Sequence, residues 1–461
     1  MASAEPVAPT AAARDSARRL RVMLVTGEYP PDEGGVADYT RCLAEALAAR
    51  RVSVDVLTRR RASPRPDVSA GAGGRGAAAR LADGKGTLRP DRIRVAEHRA
   101  MRGWGWPSLR AINRAASKLR PDVVHVQYQA AAYDMAPAIH LAPSWLALSA
   151  RFGGSSSSSR ARSGGHPLTA VTFHDLRVPY LFPKAGRVRR AAIRHLAASA
   201  DLAVATNAED AATVGAWLAP DRLALVPIGS NVPDAVPPGY DRSEWRRANG
   251  LTPTADVLVY FGFLNESKGA RSIVGALDRL VSQGRDARLV MLGGRLGASD
   301  ATNAEYLSRF ETDLERHGLA VRVLWTGHVP SAEVSAWFHA ADVAVLPYED
   351  GASFRRGSLL AALAHGAPVV TTIPSTTPDA LVHPALAERP PELEDHRSAL
   401  LVPPGDVAAL ARAIAEVLDD PALAAALAKA ARATAAGFGW EAIAGRHVEL
   451  YRRMLERRAR A

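Results

Sequence analysis

Short apolar runs, each followed by a turn and a stretch of helical periodicity, recur along this 461-residue chain in two separate series. The first series holds RVMLVT (Arg21 to Thr26), an alternating run from Val52 to Thr58, PDVVHVQ (Pro121 to Gln127), LTAVTFHDL, LAVATNAED (Leu202 to Asp210) and LALVPIGSNVP (Leu223 to Pro233). The second holds DVLVYFGFL, ARLVMLGG, VRVLWTGHVP, ADVAVLP (Ala341 to Pro347), PVVTT and SALLVPPGD. Runs of this kind, rich in Val and Leu and nearly free of charge, suit strands buried on both faces, as in parallel sheets. Parallel neighbours need crossover connections, which the helical stretches supply. The predicted fold class is therefore α/β: two doubly wound, Rossmann-like domains facing one another across a cleft that gathers the carboxyl ends of their strands.

The domain limits follow from where the pattern stops. Residues 1–20 read as a disordered Ala/Pro/Ser tail, and 21–235 as an N-terminal domain with insertions at about 59–90 and 152–166, the second holding five consecutive serines. A polar, Pro-containing linker near 234–253 leads into a C-terminal domain over 236–440. Residues 441–461 form a helix bearing many arginines, expected to pack back on the N-terminal domain.

Composition narrows the partners. Lys and Arg number 58 against 47 Asp and Glu, a formal charge of +11 that favours anionic ligands or surfaces. Aromatic residues are 6% of the chain and do not interleave with basic stretches, so nucleic acid bound on stacking platforms is not expected. Cys42 is the sole cysteine, which rules out an intrachain disulfide and Cys-rich zinc sites. No apolar run approaches the roughly eighteen residues of a membrane span, and the N-terminus lacks a signal-peptide core, so the cytoplasm is the expected compartment.

The stretch from Pro347 to Val370 carries the sharpest local signal. After the strand ADVAVLP comes a polar loop with Asp350, Gly351 and Ser353, then Arg355 and Arg356, then an Ala/Leu helix opening near Gly357 and Ser358 and closed by Gly366. Two guanidinium groups and a hydroxyl thus stand at a helix N-terminus beyond the carboxyl end of a strand, where unpaired N–H groups and the helix dipole favour anions. Taken alone, a pair of arginines on a loop is equally well a solvated charge pair.

From about Arg21 to Arg453, outside the two insertions, the chain resembles the family-four (group 1) glycosyltransferases of the GT-B fold. GEYPPDEGGVADY is similar to that family's glycine-rich acceptor-side loop, so the resemblance implies that Gly34 and Gly35 approach the donor diphosphate. FGFLNESKG looks like its donor loop, with Lys268 pairing phosphate, and TGHVP, SALLVPPGD and AHGAPVV are similarly placed. His174 matches the position of the family's active-site histidine, whereas His125, inside a strand, reads as a core residue or one that supports the site from behind. Phe263 stands where the family usually has an arginine, and Ser353 and Ala361 where it has paired glutamates. A subset of the family has an S-x-RRGS-type loop much like this one.

The resemblance implies a retaining glycosyltransferase that moves a sugar from a nucleotide-sugar to an acceptor glycan, lipid or small molecule, as in cell-envelope or polysaccharide synthesis. His174, Lys268 and Arg356 are the expected catalytic groups. Donor binding is expected from Gly34, Gly35, Lys268, Gly293, Gly294, His328, Val329, Asp350, Ser353, Arg355, Arg356, Gly357 and Ser358. The chain has no Asp-x-Asp pair, so protein cations rather than a metal are expected to meet the leaving diphosphate, with no other cofactor. Arg356 is expected to take the place of the arginine lost at Phe263. A non-catalytic nucleotide-sugar-binding relative and a nucleotide-sugar epimerase are the alternatives. The segment from Lys184 to Ala197, with Val188, Ala192 and Leu196 at helical spacing among arginines, suggests reversible attachment to the inner face of the plasma membrane.

Overall fold

The computed structural model describes residues 19–32, 34–60, 95–152, 166–176, 186–294, 301–375 and 392–460. The apolar runs form two all-parallel sheets. The N-terminal sheet holds β1 (Arg21–Thr26), β2 (Ser53–Arg59), β3 (Ala96–Met101), β4 (Val123–Tyr128), β5 (Leu168–Phe173), β6 (Leu202–Ala205) and β7 (Leu223–Leu225), in the order β3-β2-β1-β4-β5-β6-β7. The C-terminal sheet holds β8 (Asp256–Phe261), β9 (Ala287–Leu292), β10 (Val323–Gly327), β11 (Val343–Leu346), β12 (Val369–Thr372) and β13 (Leu400–Val402), in the order β10-β9-β8-β11-β12-β13. In each sheet the chain steps outward from its first strand, then returns to the other side of it. The order therefore reverses between β1 and β4 and between β8 and β11, which opens a crevice at the carboxyl ends of both pairs.

Alternation along the strands builds a core on each face. In β1, Met23 and Val25 face a cluster with Leu109 and Ile112 of α2 (Pro107–Leu119), Leu146 of α3 (Ala142–Phe152), and Ile193 and Leu196 of α4 (Gly186–Ser199). Val22 and Leu24 face the opposite cluster, with Leu43 and Leu47 of α1 (Gly35–Ala49). The same opposite cluster contains Ile443, Ala444 and Tyr451 of α13 (Trp440–Arg460), so the chain's last helix lies on the N-terminal sheet. Each fully buried Leu contributes about 1.5–3 kcal/mol. α5 (Ala208–Gly215) follows β6 and starts at Asn207, whose side chain accepts the Asp210 N–H.

The C-terminal sheet is flanked by α7 (Ala270–Ser282), α8 (Ala301–Arg316), α9 (Ser331–Ala340), α10 (Gly357–Ala364), α11 (Val407–Asp419) and α12 (Pro421–Ala436). Asp420, before Pro421, caps α12 through the Ala422 and Leu423 N–H groups. The linker is more ordered than its composition suggests. It contains α6 (Arg242–Ala248), capped by Asp241 and packed on α9 through Trp245 and Trp337, whose rings lie 5.8 Å apart.

The strand β3, of sequence AEHRAM, sits at the sheet edge with a largely exposed face, so it lacks the apolar run that marks the other strands. The membrane-stripe reading of α4 meets a physical obstacle. Ile193, Leu196 and Ala197 are buried in the N-terminal core, and of the stripe only Val188 is strongly exposed. The stripe therefore mainly holds the helix to its own domain. The tail and most of the two expected insertions lie outside the described residues. No described helix is long and apolar enough to cross a membrane.

Candidate active site

The loop after β8 and the loop after β11 meet at the crevice of the C-terminal sheet. FGFLNESKG bends back through a short 3-10 turn, Glu266–Lys268, capped by Asn265, which accepts the Lys268 N–H. Gly269 then lies at φ +65°, and a Cβ there would stand 1.8 Å from the Pro347 carbonyl oxygen. Only glycine lets the Lys268 loop rest against the end of β11. At Gly262, φ +126°, a Cβ would stand 2.6 Å from Lys268 Nζ, so the ammonium lies over bare backbone. Glu349 ties the loops further: its N–H donates to the Ser267 carbonyl at 3.0 Å, and its carboxylate accepts from Ser272 at 3.2 Å.

Arg356 reaches the same place. Its guanidinium lies over the Tyr348 ring at 4.9 Å, and Nη1 and Nη2 are each 3.5 Å from Ser267 Oγ. Nη2 also pairs with Asp350 Oδ1, while the buried Nε has no hydrogen-bond partner. Burial and then the positive charge of Arg356 lower the Lys268 ammonium to about 8. Two cations that oppose each other in a partly desolvated crevice form a site suited to an anion.

The other expected donor groups are arranged more variously. Arg355 is turned away from Lys268: it pairs with Asp350 at 3.1 Å and with Glu209 of the N-terminal domain at 3.1 Å. The Ser358 hydroxyl bonds the buried Tyr348 hydroxyl at 2.8 Å, and Ser353 braces the loop, its carbonyl accepting the Arg356 N–H at 3.0 Å. Gly357 opens α10 opposite Asn231, whose amide donates to Asp38 of α1 at 2.8 Å. Gly293, φ +112°, bridges to Gly327 and donates to Thr326, bringing the ends of β9 and β10 beside Gly262. Gly294 follows it, His328 is exposed, and Val329 packs partly into the core. Ala361 is wholly buried in α10.

In the N-terminal domain, the loop after β1 brings Gly34 against Glu28: a Cβ on Gly34 would meet Glu28 Oε1 at 2.4 Å. Burial raises the Glu28 carboxyl, opposed by the Ala37 and Val36 N–H groups at the start of α1. Around Gly35 there is open space. His174, just past β5, contacts Gln127 Oε1 through Nε2 at 3.0 Å and lies edge-on to Tyr39 at 4.5 Å. Burial and then His447 lower it to about 3, so it is neutral at physiological pH. With Nε2–H given to Gln127, Nδ1 is left as an acceptor, suited to a sugar hydroxyl rather than to a phosphate oxygen.

His125 is a core residue: it bonds Tyr451 at 2.5 Å and Thr172 at 2.7 Å, joining β4 to α13. Lys268, Arg356, Asp350, Glu349 and the glycines of both loops meet at the carboxyl end of the C-terminal sheet, while His174, Gly34 and Gly35 follow the carboxyl ends of β5 and β1 in the N-terminal sheet. Ser267, Tyr348 and Gly262 complete the first group without having stood out in the sequence, although all three flank residues that did. No cluster of potential metal ligands occurs among the described residues.

Residues 255–420 match the family described as "Glycosyl transferases group 1", and residues 34–229 match the "Glycosyl transferase 4-like domain". The chain is 27% identical to the D-inositol 3-phosphate glycosyltransferase of Pseudarthrobacter chlorophenolicus, over 92% of each chain. Curated relatives at 30–31% identity are matched over only 46–59% of their own length. Among solved structures, sucrose-phosphate synthase from Thermosynechococcus elongatus superposes with a TM-score of 0.64 at 22% identity, covering 95% of this chain and 100% of that one. Anabaena HepE in complex with UDP and glucose superposes with a TM-score of 0.61 at 18% identity, covering 94% and 99%. At these identities the superpositions speak for the fold.

Proposed function

Because the chain belongs to the group 1 glycosyltransferases and has the GT-B architecture, we propose that it moves a sugar from a nucleotide-sugar donor to an acceptor with retention of anomeric configuration. The Lys268–Arg356 pair at the β8/β11 crevice carries this reading: burial first, and then the neighbouring guanidinium, lower the Lys268 ammonium, and a diphosphate between the two would offset both. As the glycosidic bond breaks, negative charge grows on the leaving diphosphate, and cations already fixed in place stabilise it without reorganising. The neighbour solved with UDP and glucose supports a donor of that chemical class.

In this reading Lys268 and Arg356 hold the diphosphate, with backbone from the Gly34–Gly35 loop approaching it from the other wall. Asp350 orients Arg356, and His174 accepts from a sugar hydroxyl. The acceptor lies on the N-terminal side, and protein cations serve in place of a metal. The same reading places the protein on the cytoplasmic side, serving cell-envelope or polysaccharide synthesis. The exposed Arg187, Arg190 and Arg194 beside Val188 support reversible contact with an anionic membrane surface.

Incubation with a panel of nucleotide-sugars and acceptors, followed by mass spectrometry and NMR of the anomeric linkage, tests the proposal. A product of inverted configuration would contradict retention. Phe263, Ser353 and the buried Ala361, where the family usually has an arginine and two glutamates, favour a second reading, a non-catalytic nucleotide-sugar binder. Binding without turnover across the panel would support that one.

A further inference from the structure

Arg355 and Arg356 are adjacent in sequence but do different things in the fold. Arg356 points to the Lys268 crevice. Arg355 bridges two carboxylates from different domains, Glu209 on α5 and Asp350 on the loop after β11, each at 3.1 Å. Asp350 in turn holds Arg356 through its other oxygen. The result is a chain of alternating charge, Glu209–Arg355–Asp350–Arg356, that starts on the N-terminal domain and ends at the proposed diphosphate site.

The chain is shielded: the side chains of Arg355 and Arg356 are 11% and 14% exposed, and those of Asp350 and Glu209 are 26% and 32% exposed. Paired guanidinium–carboxylate contacts with little solvent fix orientation far better than exposed ion pairs do. The loop has a second anchor at the domain junction. The Phe354 ring stacks on Phe438 at 4.8 Å, and the Phe438 carbonyl oxygen would lie 2.9 Å from a Cβ on Gly229. Held at the junction by Phe354 and across the cleft by Arg355, the loop's position depends on how the two domains sit relative to each other.

We propose that Glu209 and Arg355 are positioning residues that couple domain closure to the presentation of Arg356. When the cleft closes, Glu209 meets Arg355, which orients Asp350, which sets the Arg356 guanidinium against the leaving diphosphate. When the cleft opens, Arg355 loses its cross-domain partner and Arg356 is less well fixed. The inference rests on the proposed phosphate role of Arg356.

The test compares wild type, Glu209→Gln, Arg355→Lys and Arg356→Ala as full chains. It uses steady-state kinetics with the donor found active, thermal unfolding, and small-angle scattering with and without UDP. Glu209→Gln should lower kcat about tenfold while changing donor KM less than twofold. It should also enlarge the UDP-bound radius of gyration while leaving the unfolding temperature near wild type. Arg355→Lys, which keeps the charge but not the two-armed geometry, should fall between. A Glu209→Gln kcat within twofold of wild type, or a kcat loss with unchanged scattering, overturns the coupling. If Arg356→Ala itself leaves kcat unchanged, the phosphate-site reading fails instead. Loss with Arg356→Ala beside a silent Glu209→Gln removes the coupling alone.

Discussion

Replacing Arg356 by alanine tests the crevice most sharply. In the fold its guanidinium is held over Tyr348 and tied to Asp350, yet the buried Nε is left without a partner and the Ser267 contacts are long, at 3.5 Å. A cation so held, meeting charge that develops only as the sugar–phosphate bond breaks, is worth about 3 kcal/mol, or roughly a hundredfold in rate. The loss should appear mainly in kcat, with a smaller rise in donor KM, because a ground-state diphosphate still has Lys268. A second readout comes from the lysine. Removing Arg356 takes away one of the two causes that lower Lys268 to about 8, so the basic limb of kcat/KM should move to higher pH, though only partly, because desolvation remains the larger cause. Phe263→Arg in the Arg356→Ala background should restore part of the rate if both side chains reach the same phosphates. The assay is steady-state transfer with an active donor across pH 6–10. A kcat within about twofold of wild type, under 0.5 kcal/mol, would refute the assignment.

In the unaltered protein, kcat/KM for the donor should fall as pH rises through about 8, because the ammonium that attracts diphosphate is then lost, and Lys268→Arg should abolish that limb; a flat profile would contradict it. Tyr451→Phe should lower the free energy of unfolding by about 1–3 kcal/mol in a denaturant titration, since it leaves buried His125 short of a partner. EDTA should leave single-turnover transfer unchanged, whereas activity restored only by magnesium or manganese would show that a metal is needed. Flotation with anionic vesicles should exceed that with neutral ones, and Arg187→Ala with Arg190→Ala should reduce it by up to about 1 kcal/mol per residue, whereas indifference to lipid charge would remove the membrane proposal.

The two domains and their cleft could be read from the chain because buried parallel strands advertise themselves as uncharged Val/Leu runs. Where a strand has no second buried face, the signal fails. The AEHRAM strand at the sheet edge carries polar residues and passes for loop. Likewise, α6 is short, with a nearly all-polar sequence, and it is fixed by Arg246 reaching the carbonyls of Ala340 and Ala255, contacts no local pattern encodes. At the site, the meeting of the Lys268 and Arg356 loops was legible because glycine turns and a helix start after parallel strands mark loops at one sheet end. The division of labour between Arg355 and Arg356 was not, since it depends on Glu209, 146 residues away. The α4 stripe was only partly legible: helical spacing reports an apolar face but not how much of it the protein's own core covers, and here Leu196 is covered while Val188 stays exposed.

The central claim is that a nucleotide-sugar's diphosphate binds between Lys268 and Arg356 and leaves there as its sugar is transferred. The most direct measurement is acceptor-dependent release of nucleoside diphosphate together with the mass of the glycosylated product, for wild type, Lys268→Ala and Arg356→Ala. The account predicts matched release and product in wild type, with both falling about a hundredfold or more in each variant. Release and product undiminished in both variants would contradict it.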